Sequence, residues 1–157
     1  MDPERIRFVE QVIEHEKGSI ETYRLLAQRM REEGDHNAAA LCESLVEEET
    51  RHKTMLESLG AQELRFVQER IDKIGGYALH ATERFSYPVE DSKTDELFDM
   101  AIEREKTSIQ QYQALKEAAT SDDVRRFFKD MAHEEERHLE MISDEKEKVR
   151  RFRKRPF

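Results

Sequence analysis

Apolar residues recur along the chain at alternating steps of three and four, the period of an α-helix that buries one face. A first stripe carries Val9, Ile13, Ile20, Tyr23, Ala27 and Met30; a second carries Ala38, Cys42, Leu45, Leu56 and Leu59. A third has Phe98, Ile102, Ile109 and Tyr112, and a fourth Val124, Phe128, Met131 and Ile142. Punctuation separates the four. Asp2-Pro3 pairs an N-cap with a first-turn proline, and Gly34 stops the first helix. Asp35 or Asn37 can cap the second, which stops at Gly60; Thr94 opens the third. Ser121 caps the fourth, whose first turn holds Asp122 and Asp123, where the helix dipole favours acids. The pattern predicts helices over 3–33, 36–59, 94–119 and 122–149. Turns of a few residues make each consecutive pair an antiparallel hairpin. Residues 60–93 hold Gly75-Gly76, Pro88, Tyr77, Phe85 and Tyr87, with a short helix expected near 64–73, and are long enough to cross from one end of a bundle to the other. The expected fold is an all-α antiparallel four-helix bundle: two hairpins joined by a long crossover in one domain, 1–149, with a basic tail at 150–157.

The two halves repeat one another. Ile13 to Tyr23 lies over Ile102 to Tyr112 at an offset of 89, and Glu48-Glu49-Thr50-Arg51-His52 lies over Glu134-Glu135-Glu136-Arg137-His138 at an offset of 86. Such a repeat predicts a pseudo-two-fold bundle. Its seam is interrupted by six ionisable side chains: Glu16, Glu49, His52, Glu105, Glu135 and His138. They fall at mid-helix in all four helices, so they can meet at one level. Four carboxylates buried together repel, and each would cost on the order of several kcal/mol or shift its pKa. Two divalent cations would cancel the four charges. Carboxylates with two imidazoles suit iron or manganese, and also zinc. Glu49 and His52, like Glu135 and His138, stand three apart and share a helix face.

Composition narrows the partners. The 157 residues are 36% apolar and 40% charged, with net charge −9. Phosphate contacts need a basic face, so nucleic-acid binding is not expected. No apolar run exceeds the five residues from Ala38 to Cys42, so neither a membrane span nor a signal peptide is expected. Cys42 is the lone cysteine, which excludes an internal disulfide and a thiolate-held cluster, and a reducing cytoplasmic location is the expectation.

On the six seam residues and their spacing, the chain resembles the ferritin-like di-iron carboxylate superfamily, most closely the rubrerythrins, over about residues 3–145. The resemblance implies two iron ions, with an oxo or hydroxo bridge when oxidised. Glu16 and Glu105 would be ligands from the first and third helices, Glu49 and Glu135 bridges, and His52 and His138 one terminal ligand each. Tyr23 and Tyr112 would donate hydrogen bonds to ligand carboxylates. The implied activity is reduction of peroxide, or of dioxygen, in oxidative-stress defence. Two departures bear on this. Typical rubrerythrins carry a rubredoxin module with four cysteines; with one cysteine here, either the electrons come from a separate protein such as a rubredoxin or the role is not peroxidase turnover. They also carry a second Glu three residues after the third-helix ligand, where this chain has Ser108, so a redox-linked exchange of His52 for that Glu does not carry over.

Blander readings apply elsewhere. His15, His36, His80 and His133 are expected on flanks or the surface, and Glu14, Glu47, Glu48, Glu134 and Glu136 off the seam in solvent. Cys42 reads as a core residue, and the tail from Arg150 as a frayed, dipole-complementing terminus. Iron handling by a ferroxidase and a metal-binding bundle without turnover remain the alternatives to the oxidoreductase. A homodimer is plausible if the aromatic crossover packs against a partner.

Overall fold

The computed structural model describes residues 7–74, 88 and 90–153. Five helices follow in order: α1 (Arg7–Glu32), α2 (His36–Glu57), α3 (Ala61–Ile74), α4 (Thr94–Ala118) and α5 (Asp122–Arg153). There is no strand among the described residues. The hairpins α1–α2 and α4–α5 pack mainly through α1 against α4, and α2 meets α5 over a much shorter stretch. The short α3 lies against α4 and α1.

Local chemistry sets the boundaries. Gly34 has φ +82°, a left-handed conformation that costs glycine little. Its N–H donates to the Arg31 carbonyl at 3.0 Å and that of Asp35 to the Met30 carbonyl at 2.8 Å, a Schellman closure of α1. Asp35 then caps α2, its carboxylate accepting from the Ala38 N–H at 3.0 Å. Ser121 caps α5 by accepting from the Val124 N–H at 3.2 Å. The Gly60 carbonyl accepts from Leu64 N–H at 3.0 Å, so α3 begins at Ala61, earlier than the apolar pattern indicated. The basic segment from Arg150 does not fray at once: α5 continues through Arg153, because no helix breaker intervenes before Pro156. Asp2-Pro3, Gly75 to Tyr87 with His80, and the last four residues lie outside the described residues.

Two apolar clusters fill the bundle. One joins Phe8, Val9, Val12, Leu56, Leu115, Phe128 and Met131 with Val67 and Ile71 of α3. The other joins Leu26, Met30, Cys42, Leu45, Leu97, Phe98 and Ile142. Tyr112 belongs to the first cluster and Tyr23 to the second. The seam carboxylates and histidines sit between these two plugs.

α1 buries more than one stripe. Phe8, Val12, His15, Ser19, Thr22 and Leu26 are inside along with Val9, Glu16, Tyr23, Ala27 and Met30 of the expected seam, while Ile13 and Ile20 of that seam are only half-buried, because α1 packs on α4 as well as on α2. His15 therefore corrects its flank assignment; it is only 4% exposed. Its Nε2 donates to the Arg104 carbonyl at 2.9 Å, and the Arg104 guanidinium donates to the His15 carbonyl at 3.3 Å. Burial first, and the adjacent Arg104 charge, pull the His15 pKa down to about 4 against the Arg104 hydrogen bond. The guanidinium occupies the space over Gly18: a Cβ there would lie 2.4 Å from Arg104 Nη1.

Candidate metal centre

Glu16, Glu49, His52, Glu105, Glu135 and His138 are brought together, and none is more than 1% exposed. Helix phase explains the convergence. Each follows its helix's apolar stripe by three or four residues, so the packing that seats the stripe also points the ionisable group inward. Their ligand atoms form two groups, within each of which all atoms lie within 4.8 Å of one another. One holds Glu16, Glu49, His52 and Glu135; the other holds Glu105, Glu135, His138 and Glu49. Glu49 and Glu135 belong to both. The two imidazoles stack across the pseudo-two-fold, ring centres 5.8 Å apart and planes 12° from parallel.

Burial and mutual repulsion dominate the electrostatics. The Glu49 carboxyl is pushed up to about 8, first by burial and then by the charge of Glu105. Glu16 is raised well above the usual carboxylate range by burial and then by Glu49; Glu135 is raised by burial and then by Glu105 and Glu49. Both oxygens of Glu16 and of Glu135, Oε2 of Glu49, Oε2 of Glu105 and Nδ1 of His52 are buried with no hydrogen-bond partner. A cluster of orphaned acceptors is costly unless cations sit among them. His52 Nδ1 lies 2.7 Å from Glu135 Oε1, and His138 Nδ1 lies 2.7 Å from Glu49 Oε1. Both histidines thus present Nδ1 to the carboxylates. The donor set of four carboxylates and two imidazoles is one that iron, manganese or zinc accepts.

A family model for rubrerythrin matches residues 7–146. The chain belongs to the rubrerythrin family. A rubrerythrin domain is a di-iron carboxylate domain, and the buried carboxylate–imidazole cluster fits such a metal site. No curated protein and no solved structure gives a significant match.

The tyrosines flank the cluster, one in each apolar plug. Tyr23 donates to Glu105 Oε1 at 2.6 Å, and Tyr112 lies beside Glu16 and edge-on to the His52 ring. Burial, and then the carboxylate charges, raise both phenols well above their ordinary range, so both stay protonated; Tyr23 donates as expected, but the Tyr112 hydroxyl is buried with no hydrogen-bond partner. Ser108 is fully buried beside the ligand helix face, its hydroxyl unpartnered.

Glu48 and Glu134 correct the solvated reading given to them. Each is only 29% exposed at its side chain, and each accepts from the Nε2 of a cluster histidine on the opposite hairpin: Glu134 from His52, Glu48 from His138. Arg51 donates to Glu134 at 2.8 Å, and Arg137 to Glu48 at 3.2 and 3.3 Å. Burial pushes both carboxylates up, but their histidine and arginine partners win and hold them below the usual range. The seam pattern could not show this, because Glu48 and Glu134 stand one residue off it. The signal available was the repeat itself, which duplicates Glu-Glu-x-Arg-His as a unit. Glu14, Glu47, Glu136, His36 and His133 are exposed, as expected. No helix among the described residues is long and apolar enough to cross a membrane.

Proposed function

We propose that the chain is a di-iron oxidoreductase that reduces peroxide, or dioxygen, with electrons from a separate donor protein such as a rubredoxin. The observation that carries this is the pair of overlapping ligand groups, closed off from water and rich in orphaned carboxylate oxygens. One iron would be held by Glu16, His52 and the shared Glu49 and Glu135; the other by Glu105, His138 and the same shared pair. A ferrous pair held there would supply the two electrons that cleaving the O–O bond of a peroxide requires; the same two would take dioxygen only as far as peroxide.

The chain's own groups prepare that chemistry. The apolar plugs above and below exclude bulk water, which strengthens every electrostatic interaction between them. Tyr23 holds Glu105 by its 2.6 Å hydrogen bond and fixes which carboxylate oxygen is left free. Six protein ligands would leave two metals with positions open to a small oxidant. Ser108 offers no carboxylate, so it would leave such a position unclaimed.

Elemental analysis of natively expressed protein tests the assignment, with about two metals per chain expected. Glu49→Ala and Glu135→Ala should each lose most of the load; full retention in both would remove the ligand assignment. Mixing the reduced protein with peroxide and with oxygen in stopped flow then tests the reaction. Fast oxidation by peroxide is expected, and inertness to both oxidants would leave a metal-binding bundle without turnover. A native particle that is a closed multi-subunit shell would favour iron storage instead.

A further inference from the structure

The two halves agree closely around Glu16 and Glu105. From Ile13 to Ile20 against Ile102 to Ile109 they match at six of eight positions; only His15 against Arg104 and Gly18 against Thr107 differ. Three of those four residues form one contact. His15 Nε2 donates to the Arg104 carbonyl at 2.9 Å. The Arg104 guanidinium donates to the His15 carbonyl at 3.3 Å, reaches His15 Nδ1 at 3.5 Å, and lies over the bare backbone of Gly18. Both side chains are buried.

His15 therefore meets its own repeat equivalent, which places the pseudo-two-fold axis between the two residues. A strict repeat fails at such a point, because two arginines there would bury like charges against one another. An arginine and a histidine fit: an imidazole that gives its Nε2 proton to a carbonyl keeps Nδ1 as an acceptor for a guanidinium. The arginine also needs room, and Gly18 supplies it. A mid-helix glycine weakens α1, a cost that this contact offsets.

Each residue stands immediately before a cluster glutamate, His15 before Glu16 and Arg104 before Glu105. These two glutamates are the ones the ligand groups do not share, and they come from different hairpins, which meet chiefly through α1 and α4. We propose that His15 and Arg104 are positioning residues, a reciprocal clasp across the pseudo-two-fold that holds the backbones of α1 and α4 at one separation and so sets the distance between the Glu16 and Glu105 half-sites. Its bonds fall on main-chain carbonyls, not on the ligand carboxylates, so it locates both half-sites together. Tyr23, by contrast, grips Glu105 alone.

This rests on the metal reading proposed above, and the test separates the two. The probe is manganese(II), added to the metal-free full chain. Two such ions sharing Glu49 and Glu135 should be magnetically coupled, and the temperature dependence of their electron paramagnetic resonance signal measures the coupling, which falls with separation. A wild-type chain that binds no manganese, or only uncoupled ions, would overturn the metal reading. Arg104→Ala should weaken the coupling and lower both binding constants together, by roughly 10-fold each. His15→Ala should do the same, and the double variant should be no worse than either, since each change removes the one clasp. His15→Gln, whose amide can still donate to the Arg104 carbonyl, should keep most of the coupling.

The decisive variant carries the clasp to the other side of the axis. His15→Arg with Arg104→His turns the guanidinium toward Thr107, whose side chain fills the place that Gly18 leaves open, and should stay impaired. Adding Gly18→Thr and Thr107→Gly should restore wild-type coupling at unchanged composition. Unchanged coupling in Arg104→Ala would overturn the proposal, as would loss confined to one equivalent, or a fourfold swap no better than the twofold one. Should Arg104→Ala fail to fold, His15→Gln and the fourfold swap decide the matter in its place.

Discussion

Metal-free protein should lose stability as pH rises through neutrality, opposite to the usual response of a carboxylate paired in the folded state. The perturbing group is Glu49, whose folded pKa of about 8 stands above its ordinary 4.5. A group with a raised folded pKa binds more protons folded than unfolded across that interval, so the folded state is disfavoured as pH climbs. The full penalty, about 5 kcal/mol, is reached only above the folded pKa; roughly 2 kcal/mol of it falls between about pH 6.5 and 8.5. Glu16 and Glu135 are raised for the same reasons and push the same way. His15 acts in the other direction but elsewhere. Its folded pKa of about 4 lies below the ordinary 6.5, so its contribution to stability is lost as pH falls through that window and is nearly constant above it. Urea denaturation in the presence of a chelator, followed by circular dichroism, should therefore show the midpoint falling from pH 6.5 to 8.5. Glu49→Gln should flatten the fall, because the amide cannot ionise. Metal-loaded protein should reverse it, since cations favour the ionised carboxylates and their binding improves as protons leave. A metal-free midpoint that is flat or rising over this range, with Glu49→Gln indistinguishable from wild type, would refute the picture of four carboxyls buried against one another.

Gly18→Ala should displace the Arg104 guanidinium from the α1–α4 interface, because the new Cβ would lie 2.4 Å from Nη1. Overpacking of this kind costs about 1–3 kcal/mol, and thermal melts should show Gly18→Ala/Arg104→Ala recovering part of the loss. Asp35→Ala removes the cap at the Ala38 N–H and should lower stability by about 1 kcal/mol, with no change in metal stoichiometry. Tyr23→Phe removes the 2.6 Å hydrogen bond to Glu105 and should cost about 1–2 kcal/mol of folding stability. In a cobalt titration the same variant should weaken the Glu105 half-site and spare the Glu16 half-site.

The bundle was legible because its signals are local and repeated. Gly34, Asp35 and Ser121 each act within one turn of their own position, so helix ends followed from residue chemistry alone. The seam followed from period, and the six ionisable residues on it are buried together because helix phase leaves them no other place. What period could not convey is which second neighbour a helix has. α1 faces α4 as well as α2, and that is why His15, Ser19 and Thr22 are inside although they lie off the α1 seam. The start of α3 depended on the Gly60 carbonyl, and the length of α5 on the absence of a breaker beyond Val149.

Glu48 and Glu134 show the same limit at the site. A one-dimensional pattern sorts residues into inward and outward, but a helix pair has flanks that are neither. A flank residue is partly exposed, so its burial alone says little about its role. Its partner decides the matter, and here the partner stands on another helix more than eighty residues away. The internal repeat carries information that periodicity does not. Where both copies preserve a polar residue one step off the seam, the pseudo-two-fold requires it to meet equivalent surroundings twice. In this chain those surroundings are the Nε2 of the opposing histidine and the guanidinium beside it. Duplicated off-seam polar residues in a pseudo-symmetric bundle are therefore better candidates for contacts between hairpins than for solvated surface.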